Sequence, residues 1–177
     1  MIPRFGIKPA ALTAAVVALS GLGAVAAQAP ASAATITATY SCNVPLAGTK
    51  TVTLNGSVTP TPNPATAGSA VSFAVNVASL SLTSPLTINS WSATAAIAGT
   101  GAQTSSFNAT GSGGKIGANA PITNLNLSGS WTPTVNGTDS FTVGDVTIKA
   151  NVALLGNVTI PCTPSGTQPV AATLTVG

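Results

Sequence analysis

The chain has 177 residues with a formal net charge of +3, and only 4% of them are charged. It contains no His and two acidic residues, so it cannot form His-based catalytic triads, His-containing metal sites or His-switched pH sensors. A nucleic-acid surface needs clustered Lys or Arg, and the few cations here are scattered, so we expect no nucleic-acid partner.

Residues 1–33 have the pattern of a secretory signal peptide. Two basic residues come first, an apolar stretch rich in Ala, Val and Leu follows over residues 10–27, and Ala31-Ser32-Ala33 supplies small residues for signal peptidase. Gly and Ser interrupt the apolar stretch, which makes it a weak candidate for a transmembrane anchor. The sequence therefore predicts export, cleavage after Ala33, a single domain over residues 34–177, and no stable membrane span after signal removal.

Apolar and polar residues alternate in short runs through the rest of the chain, which is typical of half-buried antiparallel strands. Turn-forming Gly, Pro and Asn residues separate these runs. At Gly144-Asp145 the apolar parity switches, as a turn or a β-bulge would produce. The clearest runs lie at 36–42, 52–58, 71–77, 125–131, 146–152 and 158–162, with weaker ones at 86–97 and 140–143. Seven to nine short strands predict an all-β domain, either a β-sandwich or a small barrel.

Residues 99–121 interrupt this pattern. They are rich in Gly and Ser, and Phe107 and Ile116 are their only large apolar residues. The composition predicts a long mobile loop. Because loops on rigid scaffolds often carry recognition, we expect contacts with a partner on this segment.

Cys42 and Cys162 are the two cysteines of the chain, and in an exported protein they are expected to form an intramolecular disulfide. Each ends an alternating apolar run whose period of two places it on the buried face of a strand. No cationic neighbour that would activate a thiolate accompanies either one, so a structural staple is favoured over a redox or catalytic role. Closing so long a loop is expected to stabilise the fold by about 4–5 kcal/mol.

Asp139 and Asp145 are the only carboxylate side chains, so any glycosidase-type pair or calcium loop would have to use them. Asp also caps turns by accepting hydrogen bonds from backbone N–H groups, and this structural role is favoured for both. The sequence therefore predicts no catalytic, cofactor-binding or metal site and no enzymatic activity.

The lysines and the tryptophans are two further candidates, the lysines for a covalent crosslink and the tryptophans for sugar binding. Lys50 and Lys149 raise the possibility of a Lys–Asn crosslink, which needs a buried Lys beside a carboxylic acid, but the parity of Lys149 predicts a solvent-facing side chain. Trp91 and Trp131 could stack on a sugar, but both share parity with apolar neighbours, which favours packing in the core.

The segment Tyr40-Ser41-Cys42-Asn43-Val44-Pro45-Leu46-Ala47-Gly48 resembles the Y-x-C-x-x-P-x-x-G start of a domain of unknown function in secreted actinobacterial proteins. Residues 143–148 and Pro161-Cys162-Thr163 resemble the V-G-D strand and the closing cysteine of that family. The resemblance spans about residues 35–165. It implies an immunoglobulin-like antiparallel β-sandwich of about seven to nine strands with one disulfide between the terminal strands, and it implies no activity.

These observations favour a non-catalytic secreted or cell-surface module for binding or assembly in an actinobacterium. Its expected partner is an extracellular protein, a glycan or another copy of itself. One alternative is a self-assembling coat or fibre subunit, because few charged residues protect its strand edges. The other is an outer-membrane pore component, since alternating faces also suit such a protein, although the aromatic girdles are missing.

Overall fold

The structure is a computed structural model that describes residues 35–177. The signal peptide predicted at residues 1–33 and its cleavage site lie outside the described residues. Residues 35–177 form nine strands and no helix, and the strands are β1 Thr35–Val44, β2 Gly48–Thr61, β3 Val71–Thr83, β4 Ile88–Gly101, β5 Ser105–Gly113, β6 Pro121–Trp131, β7 Gly137–Val152, β8 Gly156–Pro164 and β9 Ala172–Val176.

The strands form where apolar and polar residues alternate, because successive side chains of an extended chain point to opposite faces. In the first half of β3 the intervening residues are exposed or half-buried, and the buried ones are Val71, Phe73, Val75 and Val77. Thr, Ser and Asn occupy many of the outward positions, so the outer surface is polar but nearly uncharged.

The strands form one antiparallel sheet in the order β4-β5-β6-β3-β2-β1-β8-β7-β9. β4 also pairs with β7, so the sheet closes on itself, and two of its parts face each other across the core as in a β-sandwich. The long β7 pairs with β9 through its first part and with β8 through its last part. The predicted all-β antiparallel fold and the predicted number of strands are confirmed.

Aromatic rings fill one end of the core. The ring centroid of Phe73 on β3 lies 4.7 Å from those of Phe107 on β5 and Phe141 on β7. Trp131, at the end of β6, lies 5.6 Å from Phe141, so it packs against the core as predicted. Tilted and edge-on ring pairs of this kind stabilise by about 0.5–1.5 kcal/mol each beyond their buried area. We call this the aromatic end of the sheet.

The predicted disulfide is present. Cys42 on β1 and Cys162 on β8 lie directly opposite each other in the strand register, and both are buried. Their parity therefore places them inward, as the alternating runs predict. The bond joins the first strand of the described chain to its next-to-last strand.

Residues 99–121 do not form the long loop that their composition predicts. β4 continues to Gly101, and β5 occupies Ser105–Gly113. Two glycines of β5 are required by close neighbours: a Cβ on Gly111 would collide with the carbonyl oxygen of Asn126 on β6, and a Cβ on Gly113 would collide with the ring of Trp91 on β4. At these two positions glycine reflects close packing rather than a flexible chain.

The parity switch at Gly144-Asp145 is a β-bulge inside the single strand β7. The register with β4 shifts between Ala95 and Ile97. Two β7 residues, Gly144 and Asp145, therefore lie opposite the single residue Ala96. An extra residue on one strand reverses which faces the following side chains occupy. Of the two alternatives from the sequence, the bulge is correct and the turn is wrong.

Candidate functional site

An apolar cavity lies at the end of the sheet away from the aromatic rings, and we call this the cavity end. The cavity volume is about 310 Å³, at the lower limit of the range for small-molecule sites. The β1–β2 turn, the β7–β8 turn, the β3–β4 loop and the β5–β6 loop all contribute to its lining. Among the described residues that line it, Thr83 and Ser84 are the only polar ones.

The cavity has a buried floor and an exposed rim. Ile88, Ile122 and Leu125 belong to the floor and are buried within the sheet. Leu46 and Leu155 belong to the rim and lie in turns, where they are exposed. A wall of this composition offers dispersion and hydrophobic contact with very few hydrogen-bonding groups. It can hold an apolar molecule, and the polar side chains that its described lining offers are the hydroxyls of Thr83 and Ser84.

The β5–β6 loop closes one side of the cavity. Ile116 and Ile88 exchange two backbone hydrogen bonds, with N to O distances of 2.8 and 2.9 Å. This bridge holds Ile116 in the wall, although it lies outside the named strands. Lys115, the preceding residue, is exposed.

Two turns with the same local sequence pattern form part of the rim. The β1–β2 turn reads Val44-Pro45-Leu46-Ala47-Gly48, and the β7–β8 turn reads Val152-Ala153-Leu154-Leu155-Gly156. The middle leucines have φ values of 66° and 70°, and the closing glycines have φ values of 70° and 74°. A backbone hydrogen bond spans each turn, with an N to O distance of 3.1 Å in the first and 3.2 Å in the second.

The left-handed backbone at Leu46 and Leu154 is a conformation that leucine rarely adopts. An L residue there is disfavoured by about 1–2 kcal/mol, and Gly or Asn would adopt it more easily. The side chains gain no burial in return, since Leu46 is 88% exposed and Leu154 is 93% exposed. The stability of the fold therefore does not explain why leucine occupies these positions.

Positive charge is concentrated at the cavity end. All three lysines of residues 35–177 are exposed and lie near it. Lys50 is two residues beyond the β1–β2 turn, Lys115 adjoins the cavity wall, and Lys149 is three residues before the end of β7. The acidic residues lie elsewhere on β7, Asp145 at its bulge and Asp139 near the aromatic end.

Trp91 separates the cavity from a polar groove on the outer face of β4, β7 and β8. The groove measures about 360 Å³ and includes Lys149, Asn151 and Asn157. Trp91 is half-buried and lines both spaces. The prediction of a core position for this tryptophan is therefore only partly correct, because its ring belongs to the wall of the cavity.

Asp139 and Asp145 do not form a pair. They are six positions apart along the strand, or about 20 Å, whereas paired carboxylates of glycosidases lie about 5–10 Å apart. Both belong to β7, so neither lies in a turn as predicted, but the predicted acceptance of a backbone N–H is found for Asp139. Asp139 is fully buried, and its Oδ1 accepts a hydrogen bond from the backbone N–H of Gln103 at 2.8 Å. It thus ties β7 to the β4–β5 connection, and its contribution is structural.

Lys149 is exposed, as its parity predicts, and so is Lys50. A Lys–Asn crosslink requires an amine that is buried beside a carboxylic acid. The two lysines therefore lie in the wrong environment for that reaction.

Tyr40 is the most perturbed titrating group of the described chain. Its hydroxyl donates a hydrogen bond to the carbonyl oxygen of Val143 at 3.3 Å, and the residue is buried. Burial, followed by the negative charge of Asp145, raises the pKa of Tyr40 to about 12. The phenol is part of the core beside the disulfide and does not reach the cavity.

The comparisons with known proteins provide no family. No family model and no curated protein matches the chain. Residues 35–177 contain no helix long and apolar enough to cross a membrane. The same residues bring no three His, Cys, Asp or Glu side chains together as a metal site would require.

Sequence reasoning did not find the cavity. The alternation of apolar and polar residues predicts which side chains face inward. It does not predict where those side chains leave an empty space between them. A signal was present in the pattern Val-x-Leu-x-Gly, which occurs at residues 44–48 and again at 152–156, because leucine is unusual in the middle of a turn. The sequence instead predicted partner contacts on the Gly-rich segment 99–121, which contributes Ile116 to the lining of the cavity.

Proposed function

We propose that the protein is a non-catalytic extracellular module that binds an apolar small molecule, such as a lipid acyl chain, in the cavity between its two turns. The observation that carries the proposal is the cavity itself, which is apolar in its floor and in its rim. A preformed apolar space with few polar groups favours hydrophobic ligands, because any polar ligand would lose hydrogen bonds to water on entry.

The disulfide supports the extracellular part of the proposal, since such bonds persist in oxidising compartments. Export through residues 1–33, an actinobacterial source and retention at the cell surface belong to the same proposal and depend on sequence patterns. Binding is favoured over self-assembly because, in the described chain, only the short β9 has a single strand as its partner in the sheet. Edge-to-edge pairing is then limited to β9 and to the places where β5 meets β6 and β1 meets β8, which pair through one and three residue pairs.

The proposal is tested by titrating the oxidised protein, expressed from the full-length chain, with cis-parinaric acid, a fluorescent fatty acid, and displacing it with palmitate. We expect saturable binding. Ile122→Phe adds volume to the cavity floor and should weaken the affinity about tenfold or more.

Ile36→Phe is the matched control. It adds the same volume to the core beside a second internal space of about 40 Å³, and Ile36 itself does not line the main cavity. This variant should lose stability to a similar degree but keep the wild-type affinity for the fatty acid. Non-saturable uptake by the wild type, or equal weakening in both variants, would refute binding in the cavity.

A further inference from the structure

The two exposed leucines project from the same end of the molecule. β1 and β8 are antiparallel neighbours, with Cys42 opposite Cys162. The β1–β2 turn follows β1 and the β7–β8 turn precedes β8, so both turns lie at the cavity end. Leu46 and Leu154 are the most exposed large apolar residues of the described chain.

The other end of the molecule provides a contrast. Its exposed apolar residues are Val135, at 45%, and Val170, at 50% exposure, and both belong to longer connections. At the cavity end the leucines stand at the tips of tight turns, where bulk water surrounds them almost completely. A side chain in that position can enter another apolar phase without any rearrangement of the fold.

The charges around the leucine tips have one sign. Lys115 lies in a loop at the cavity end, and Lys50 and Lys149 lie two and three residues from strand ends there; all three are exposed, and no acidic side chain of residues 35–177 lies in the turns or loops of that end. Lysines beside apolar tips are suited to a partner that has an apolar interior and a negatively charged surface. A bilayer that contains anionic lipids has both properties, and each nearby Lys favours binding about fivefold.

We infer that the cavity end is a docking surface for an anionic lipid bilayer, with Leu46 and Leu154 inserted among the acyl chains and the three lysines on the headgroups. The inference rests on the leucine tips and the charges, and it goes beyond ligand binding. In this orientation the mouth of the cavity faces the hydrocarbon region.

The test is co-sedimentation of the oxidised protein, expressed from the full-length chain, with vesicles of equal parts phosphatidylglycerol and phosphatidylcholine. The wild type should bind, and binding should weaken at high salt. Leu154→Ser, at a tip that does not line the cavity, should weaken it about tenfold, and the double variant with Leu46→Ser about a hundredfold. Val135→Ser with Val170→Ser removes apolar surface at the other end and should leave binding unchanged.

Three comparisons keep the inference falsifiable. Replacing all three lysines with Gln should abolish the preference for vesicles with phosphatidylglycerol over vesicles of phosphatidylcholine alone. Leu154→Ser should keep the wild-type affinity for cis-parinaric acid, which separates loss of docking from loss of ligand binding. All variants are expressed from the same full-length chain and differ only at the named residues, so a difference between them does not come from residues 1–34. Wild-type vesicle binding by the double leucine variant would overturn the inference.

Discussion

Trp91 covers Gly113, the residue directly opposite it on β5. A Cβ on Gly113 would lie 2.5 Å from the indole ring, so the side chain of one strand occupies the space that its partner leaves empty. An aromatic residue over a cross-strand glycine fixes the register and shields the backbone. Here the same contact sets the position of the ring that forms part of the cavity wall.

Gly113→Ala should displace this ring and destabilise the protein by about 1–3 kcal/mol, because the new methyl group overlaps the indole. Gly114→Ala is the matched control, since a Cβ there has open space and its stability should change by less than about 0.5 kcal/mol. Denaturant unfolding measures both. In a Trp131→Phe background, the fluorescence of Trp91 alone should shift in Gly113→Ala. Equal stabilities of the two variants would contradict the packing described for Trp91.

Tyr40 makes stability depend on alkaline pH. Its pKa is 10.0 in an exposed chain and about 12 in the fold, so the folded state holds the phenol proton more tightly. The resulting stability is fully present below pH 10 and is lost as the pH rises from 10 to about 12. The loss should approach about 2–3 kcal/mol. Tyr40→Phe should lack this dependence.

The measurement is direct because Tyr40 is the single tyrosine of the chain. Phenolate absorbance in an alkaline titration therefore reports this residue alone, and unfolding curves at several pH values give the matching change in stability. An absorbance midpoint near pH 10 in the folded protein would disprove the burial argument.

The two aspartates should respond differently to substitution. Asp139→Ala leaves the N–H of Gln103 without its acceptor and should reduce stability by about 1–3 kcal/mol. Asp145→Ala removes an exposed side chain and should change stability by less than about 0.5 kcal/mol. Thermal unfolding of the two variants gives the comparison. A larger loss for Asp145→Ala than for Asp139→Ala would contradict the structural role assigned here to Asp139.

The period-two pattern was sufficient to predict the strands because burial on one face imposes it directly. It predicted the inward cysteines, the outward Lys149 and, through the parity switch, the bulge in β7. It failed for β5, where small residues are required by the strand alongside. Their composition suggests a flexible segment. The need for glycine becomes visible only in the structure, where Gly111 lies against the carbonyl oxygen of Asn126.

The cavity lies beyond this kind of reasoning for a different physical cause. Its walls come from segments far apart in sequence, such as Leu46, Leu86 and Leu155. Each of these residues has ordinary local surroundings, and the empty space between them arises only when the sheet closes through β4 and β7. Long-range closure of a sheet is not encoded in any single run of residues.

That closure also has a consequence for the way the protein is made. Residues 40–42 of β1 pair with residues 162–164 of β8, and the first part of β7 pairs with β9, so the native sheet is complete only when both ends of the described chain are present. Contacts of such long sequence separation form late and slowly. A chain leaving the ribosome would stay without its native structure until nearly all of it had been synthesised. For the export proposed above this delay matters, because a narrow translocation channel passes an unfolded chain.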